Sequence, residues 1–252
     1  MRFKLEVLAP IRMEPAILLT RKGAFKALRH VDGVLRSDGY VPRKDGRDAA
    51  VTLTQRTDKG ERVRVVRRYL ATNPITVAFT GHRPDKLGGY GGDSPLARRV
   101  QRALEEVVRR VIRQYPGSTF ISGMAPGVDR WGAEVVIALR DAGAPCRLVA
   151  AVPFRGQELR WPEESQRRYR ELLGKADEVV VLVEPEGEVS YEGARRWLLE
   201  RNRWVVQRAH LVLAVWDGSS GGTAHTVREA LRLKKNVLRF DPRRPEMGWR
   251  KI

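Results

Sequence analysis

The chain has 252 residues, 42% hydrophobic and 31% charged, which supports a packed core and excludes disorder by composition. Its formal net charge of +18 points to polyanions or anionic ligands as partners, although acidic residues are interleaved throughout and an arginine-rich surface gives the same total. The longest apolar runs, such as residues 178–183, are too short for a bilayer span, Lys4 and Glu6 interrupt any N-terminal signal peptide, and the single Cys146 excludes an internal disulfide, so a reducing cytoplasm is the expected compartment.

A compositional break falls at Asn73-Pro74. Residues 1–74 hold 17 Lys/Arg against 8 Asp/Glu, a net of +9, and the much longer remainder also carries +9. Strand-like runs at 3–8, 16–19, 51–55 and 63–69, a short helix around 23–30, and turns at Asp32-Gly33, Asp38-Gly39, Asp45-Gly46 and Lys59-Gly60 predict a small basic α+β module for residues 1–74. From Ile75 the rhythm changes. Strand-length apolar runs at 75–80, 119–122, 147–152, 178–183, 211–216 and 236–240 alternate with amphipathic stretches at 95–115, 127–142, 158–175, 193–208 and 223–235. The strands are apolar on both faces, as a parallel sheet covered by helices requires. Residues 75–252 are therefore expected to form a Rossmann-like, doubly wound, mostly parallel α/β sheet.

In such a sheet ligands bind outside the carboxyl ends of the strands, and the unusual residues gather there. After the first strand come Gly81, which lets backbone approach a ligand, His82, and Arg83, whose fork suits phosphate or carboxylate. The Gly-rich run at 87–92 reads as a flap. After the second strand, Gly123-Met124-Ala125-Pro126-Gly127 opens a helix, an arrangement that presents free N–H groups to a phosphate. Asp129 either caps that helix or accepts ribose hydroxyls. Pro153 and Phe154 follow the third strand; Phe154 and Trp161 pack their loop or offer a stacking face. After the fifth strand, Asp217-Gly218-Ser219-Ser220-Gly221-Gly222-Thr223 supplies the richest set of donors for phosphate oxygens, with Asp217 a second candidate for ribose hydroxyls. The four His and one Cys have no metal-ligand spacing, and no metal site is expected.

At these loops the sequence resembles the SLOG superfamily of Rossmann-like proteins, most closely its YpsA-like branch, over residues 75–240. The resemblance rests on the segment from Thr80 to Gly89, on Ser122 to Asp129 with Trp131-Gly132-Ala133-Glu134, on Val152-Pro153-Phe154 leading to Gln157, Glu158, Trp161 and Tyr169, on Arg201-Asn202-Arg203, and on Asp217 to Thr223. It implies a nucleotide or ADP-ribose-type ligand held by the Gly-rich loops, with no required cofactor. Relatives of the LOG type share Glu200-Arg201 and Gly221-Gly222 and hydrolyse the N-glycosidic bond of nucleoside monophosphates. In that alternative Glu134, Arg201 or Glu229 would act at the ribose, but Ala224-His225-Thr226 follows the glycine pair where a second Gly-Thr is expected, and Glu229 falls a turn late. DprA-like relatives bind single-stranded DNA, which makes nucleic acid a third candidate partner, with the basic N-terminal module as an arm. The resemblance leaves catalysis and homo-oligomer formation open.

Overall fold

A computed structural model of the chain describes residues 2–8, 16–18, 21–37, 40–42, 49–57, 60–71, 73–90 and 92–252. They fall into two compact units, Met1–Pro74 with Ile112–Gly117, and Ile75–Val111 with Ser118–Ile252.

The first unit holds β1 (Arg2–Leu8), β2 (Ala16–Leu18), α1 (Arg21–Ser37), β3 (Tyr40–Pro42), β4 (Ala49–Thr57) and β5 (Gly60–Ala71), with strand order β2-β1-β4-β5-β3, all antiparallel. Ala24, Leu28, Val31 and Leu35 form the buried stripe of α1, and Leu5, Val51 and Leu53 are buried on the sheet. The helix runs straight through Asp32-Gly33, where the sequence suggested a turn. The apolar spacing continues to Leu35, and Arg36 Nε bonds Asp32 at 3.1 Å, one turn away. The turns expected at Asp38-Gly39 and Asp45-Gly46, and Lys59, lie outside the described residues. Gly60, at φ +110°, opens β5 opposite Thr57.

The second unit contains β6 (Thr76–Gly81), α2 (Pro95–Gln114, whose last turn belongs to the first unit), β7 (Ser118–Ser122), α3 (Val128–Asp141), β8 (Cys146–Val152), α4 (Glu163–Lys175), β9 (Glu178–Val181), α5 (Tyr191–Arg208), β10 (Leu211–Val215), α6 (Gly222–Arg232), β11 (Asn236–Phe240) and β12 (Trp249–Lys251). The sheet order is β12-β11-β10-β6-β7-β8-β9, parallel except for β12. From β6 the chain winds outward through β7, β8 and β9. It then returns to the other side of β6 as β10, which makes the β6/β10 boundary the topological switch point.

Val77, Ala78 and Phe79 of β6 are all buried, because both sheet faces are covered. On one face Gly132 of α3 lies so close to the sheet that a Cβ there would stand 2.7 Å from the Phe79 ring, which stacks on Phe120. On the other, Ala78, Ile121 and Val149 join Val205, Val206, Val227 and Ala230 of α5 and α6 in one apolar cluster.

Three departures from the expected elements have physical causes. Helix α4 begins at Glu163, not near 158, because Pro162 disfavours helical backbone at Trp161; residues 154–161 instead form successive tight turns. The run at 87–92 is pinned at its start, where Leu87 is fully buried and Ser94 Oγ donates to Leu87 O at 2.9 Å while capping α2 through Ala97 N–H, and Gly88 and Tyr90 beyond it are exposed. Strand β12 was not foreseen; it pairs antiparallel with β11, and Trp249 packs on Phe240 and donates to Ala103 O at 3.0 Å.

Gly132→Ala is expected to force Phe79 and α3 apart and lower stability by about 1–3 kcal/mol, the usual range for overpacking. Chemical denaturation of the two proteins checks this; an unchanged midpoint would mean that α3 sits farther from the sheet than described.

Candidate functional site

Gly81 of β6 pairs in register with Val215 of β10, so the loops that follow them emerge side by side. A Cβ on Gly81 would stand 2.6 Å from the Val128 side chain, so this glycine admits α3 to the strand end. The next residue ties the two loops together. His82 N–H donates to Val215 O at 3.2 Å, and His82 Nε2 lies 2.8 Å from Asp217 Oδ1. The Asp217 N–H stands 3.1 Å from the same nitrogen. One ring nitrogen cannot donate and accept together, and the shorter contact with a carboxylate selects donation. Asp217 also accepts from Ser219 N–H at 2.9 Å and pairs with Arg243 at 2.7 Å. Burial works against its charge, but the hydrogen bonds from Ser219 and His82 outweigh it and hold the carboxyl well below the usual range. Burial pushes the His82 imidazole down against the pull of Asp217. Both Asp217 oxygens are thus engaged by the protein, which makes Asp217 the clasp of the loop rather than an open receiver for ribose hydroxyls.

The clasp shapes the start of α6. Trp216 Nε1 donates to Ser219 O, and Lys86 Nζ to Ser219 Oγ, each at 2.7 Å. Ser220, Gly221 and Gly222 are exposed. Gly221 precedes the helix at φ +136°, a conformation that L side chains rarely adopt. The N–H groups of Gly222, Thr223 and Ala224 open the helix without intrahelical acceptors; His225 N–H is the first to bond back, to Gly221 O.

These residues line a cleft of about 660 Å³ at the switch point, together with Gly81, His82, Arg83 and one flank of α5. Five cationic side chains reach it: Arg83, Lys86, Arg195, Arg201 and Arg228. Asp85 is the one acid among the described lining residues. Arg201 is only 5% exposed. Its Nη1 lies 3.4 Å from Asp129 Oδ2, while its Nε is buried and has no hydrogen-bond partner among the described residues. Burial raises the Asp129 carboxyl and depresses the Arg201 guanidinium, and each charge opposes the shift of the other.

The loop after β7 serves this arginine. A Cβ on Gly123 would coincide with the Arg201 guanidinium, so Gly123 makes room for a side chain. Met124 is fully buried in left-handed backbone at φ 59°, its N–H donating to Ser122 Oγ at 3.0 Å. Gly127, at φ +95°, precedes α3, and Val128 N–H is turned to His82 O at 3.4 Å. Gly127 has no side chain with which to cap the helix; Asp129 pairs with Arg201, and the Val128 and Arg130 N–H groups donate to His82 O and Ala125 O. Of this loop, Ala125 is what reaches the cleft; Gly123, Met124, Gly127 and Asp129 form its support.

Pro153 and Phe154 are buried outside the cleft lining, Phe154 packing on the Trp197 ring at 5.3 Å. Trp161 packs edge-on against Tyr169. Of the three residues considered for glycosidic cleavage, Arg201 alone faces the cleft. Glu134 is held by Arg168 at 2.8 Å, and Glu229 by a two-bond pair with Arg232 at 2.9 and 2.8 Å. Sequence reasoning did not single out Arg195 and Arg228, and it held Lys86 and Asn202 only within the segments that carry the resemblance, without a binding role. A signal existed for the α5 flank: Arg195, Leu198, Leu199 and Asn202 recur at one-face helical spacing.

The clasp predicts a pH response. Asp217 is depressed in the fold, so its stabilisation is present above the unfolded carboxyl pKa and is lost as pH falls through the folded value. His82 is also depressed, so below pH ~6.5 the unfolded chain takes up a proton that the fold resists. Both act in the same sense. Asp217→Ala is expected to lose about 1.5–3 kcal/mol at pH 7 and to show a shallower decline of stability on acidification than the unaltered protein. Urea denaturation from about pH 5 down to about pH 2, the window below the unfolded carboxyl pKa in which this contribution is lost, checks it, parallel declines being the adverse result.

Residues 77–240 match the YspA SLOG family. A UPF0398 protein of Bacillus thuringiensis (strain Al Hakam) is 27% identical over 164 residues, 65% of this chain and 86% of that protein. The UPF0398 protein BCB4264_A1614 of Bacillus cereus (strain B4264) is similar to the same extent. Among solved structures the chain is similar to DNA processing protein A (DprA) from Streptococcus pneumoniae, at 17% identity and a TM-score of 0.47, over 66% of this chain; it spans only 50% of that one. It is similar as well to the DNA processing protein A of Helicobacter pylori, a single-stranded DNA binder, at 16% identity, a TM-score of 0.47 and 81% coverage of each. By the match over most of its α/β unit, the chain belongs to the YspA SLOG family.

Proposed function

We propose that the switch-point cleft binds a nucleotide-type ligand by its phosphate, with nucleoside monophosphates and ADP-ribose as the leading class. The observation that carries this reading is the convergence of the open N-terminus of α6 with Arg201, a buried cation whose Nε has no protein acceptor. Helix N–H groups and a preformed cation are the two elements of a phosphate site, and an unmet buried charged donor is costly unless a ligand supplies the acceptor. Gly222, Thr223 and Ser220 would hold the phosphate, with Arg83 and Arg228 adding charge. Asn202 and the exposed Tyr191 at the mouth would meet the sugar or base. The volume of the cleft suits one nucleotide.

Binding, not hydrolysis, is the favoured activity. Glu134 and Glu229 are held in ion pairs away from the cleft, which leaves Asp85 as its one lining acid. Nucleoside monophosphates are expected to remain intact on incubation, and release of free base that Glu134→Gln or Glu229→Gln abolishes would restore the hydrolase reading.

Thermal denaturation with AMP, ADP-ribose and NAD tests binding. A ligand at 100 times its Kd should add about 2.7 kcal/mol of stability. Arg201→Met should weaken the affinity by roughly 10- to 100-fold, as expected for hydrogen bonds to a charged group. The proposal falls if none of the three stabilises the protein at millimolar concentration, or if Arg201→Met binds unchanged. A response to single-stranded oligonucleotides alone, with a salt slope of about −0.7 per phosphate contact, would reassign the cleft to nucleic acid.

A further inference from the structure

A second recess, of about 480 Å³, lies between α3, the start of α4, Tyr90 and Gly92. Its residues are separate from those that line the switch-point cleft. Two side chains on its wall are almost fully enclosed and carry polar atoms with no hydrogen-bond partner among the described residues. Arg130 is 8% exposed, and its Nε and Nη2 are both buried without an acceptor. Ser165 is 7% exposed, and its Oγ is likewise unpaired. Natural folds rarely leave such groups unmet, and each one costs free energy until an acceptor arrives. Nε–H and Nη2–H are the parallel pair on one side of the guanidinium, the edge that grips two oxygens of one oxoanion. The Trp161 ring, 5.6 Å from the guanidinium carbon, gives the cation a face contact but accepts no in-plane hydrogen bond.

The surrounding charge narrows the ligand. Glu134, Glu164 and Glu171 share this wall with Arg130, Arg167 and Arg168. Arg168 is engaged by Glu134 at 2.8 Å and by Glu171 at 3.1 Å. Acids and bases therefore balance, unlike the five-to-one excess of cations in the main cleft, and a multiply charged phosphate would meet repulsion from Glu134 and Glu164. We propose that this recess is a binding site for a carboxylate-bearing small molecule. Its carboxylate would sit on the Nε/Nη2 edge of Arg130 and accept from Ser165, with its body against Tyr90 and Trp131. The proposal stands independently of the nucleotide reading, since it uses different residues.

The test titrates the full chain with acetate, succinate, phosphate and chloride at matched ionic strength, following both thermal midpoint and tryptophan fluorescence, because Trp131 and Trp161 adjoin Arg130. Four proteins are compared: the unaltered chain, Arg130→Met, Ser165→Ala and Arg201→Met. Acetate or succinate should give a saturable response in the unaltered chain and in Arg201→Met. The apparent affinity should fall by about tenfold or more in Arg130→Met, and less in Ser165→Ala. Without ligand, Arg130→Met should melt at or above the midpoint of the unaltered protein, since it removes a buried charge whose donors are unmet. A carboxylate response that persists in Arg130→Met, or one confined to phosphate, would overturn the assignment. So would a destabilised Arg130→Met together with an unaltered chain that ignores every carboxylate at millimolar concentration. Loss of the nucleotide response in Arg201→Met with the carboxylate response kept would separate the two sites.

Discussion

The parallel pairing that sets Gly81 beside Val215 governs the chemistry of the α/β unit. It places two loop origins one strand spacing apart, close enough for His82 to reach Asp217 directly. A buried carboxylate needs strong partners, and Asp217 has three: an imidazole, a backbone N–H and a guanidinium. That requirement bends residues 217–219 back on themselves and leaves the chain at Gly221 aimed to begin α6 with its donors uncovered. The same sheet geometry that builds the core thus decides where the free backbone groups appear.

A second constraint acts one strand away. Arg201 reaches the cleft floor from α5 by lying over a residue that has no side chain. Gly123 provides that space, Asp129 supplies the countercharge, and Ser122 fixes the turn by bonding both Met124 N–H and Asp129 O. A charge so enclosed keeps its hydrogen-bonding strength, because little water competes for it.

Much of this architecture is legible in the sequence. The runs Val77-Ala78-Phe79, Val149-Ala150-Ala151 and Val212-Leu213-Ala214 are apolar on both faces, so a parallel sheet follows from burial alone, and the small or flexible residues after the first and third of these runs line the switch-point cleft. What the chain order conceals is which atom fills the space beside each glycine. Gly123 and Gly221 look alike as letters, yet one makes room for Arg201 and the other turns the chain into an open helix end. Asp217 looked available for a sugar because its partners His82 and Arg243 come from distant parts of the chain. The start of α4 was misplaced for a local reason, since helical spacing runs on through Trp161-Pro162 although proline ends it. Strand β12, three residues long, is too short to carry a period of its own.

The first turn of α3 carries Asp129 and Arg130 in succession, and consecutive helical residues point about 100° apart. One stands behind the floor of the switch-point cleft and the other on the wall of the second recess, while Gly132, a few residues on, holds the helix hard against Phe79. A turn packed so tightly has little room to deform in one place alone. Asp129 and Arg130 therefore leave one closely packed turn in different directions, and the contact at Gly132 that seats the first also seats the second.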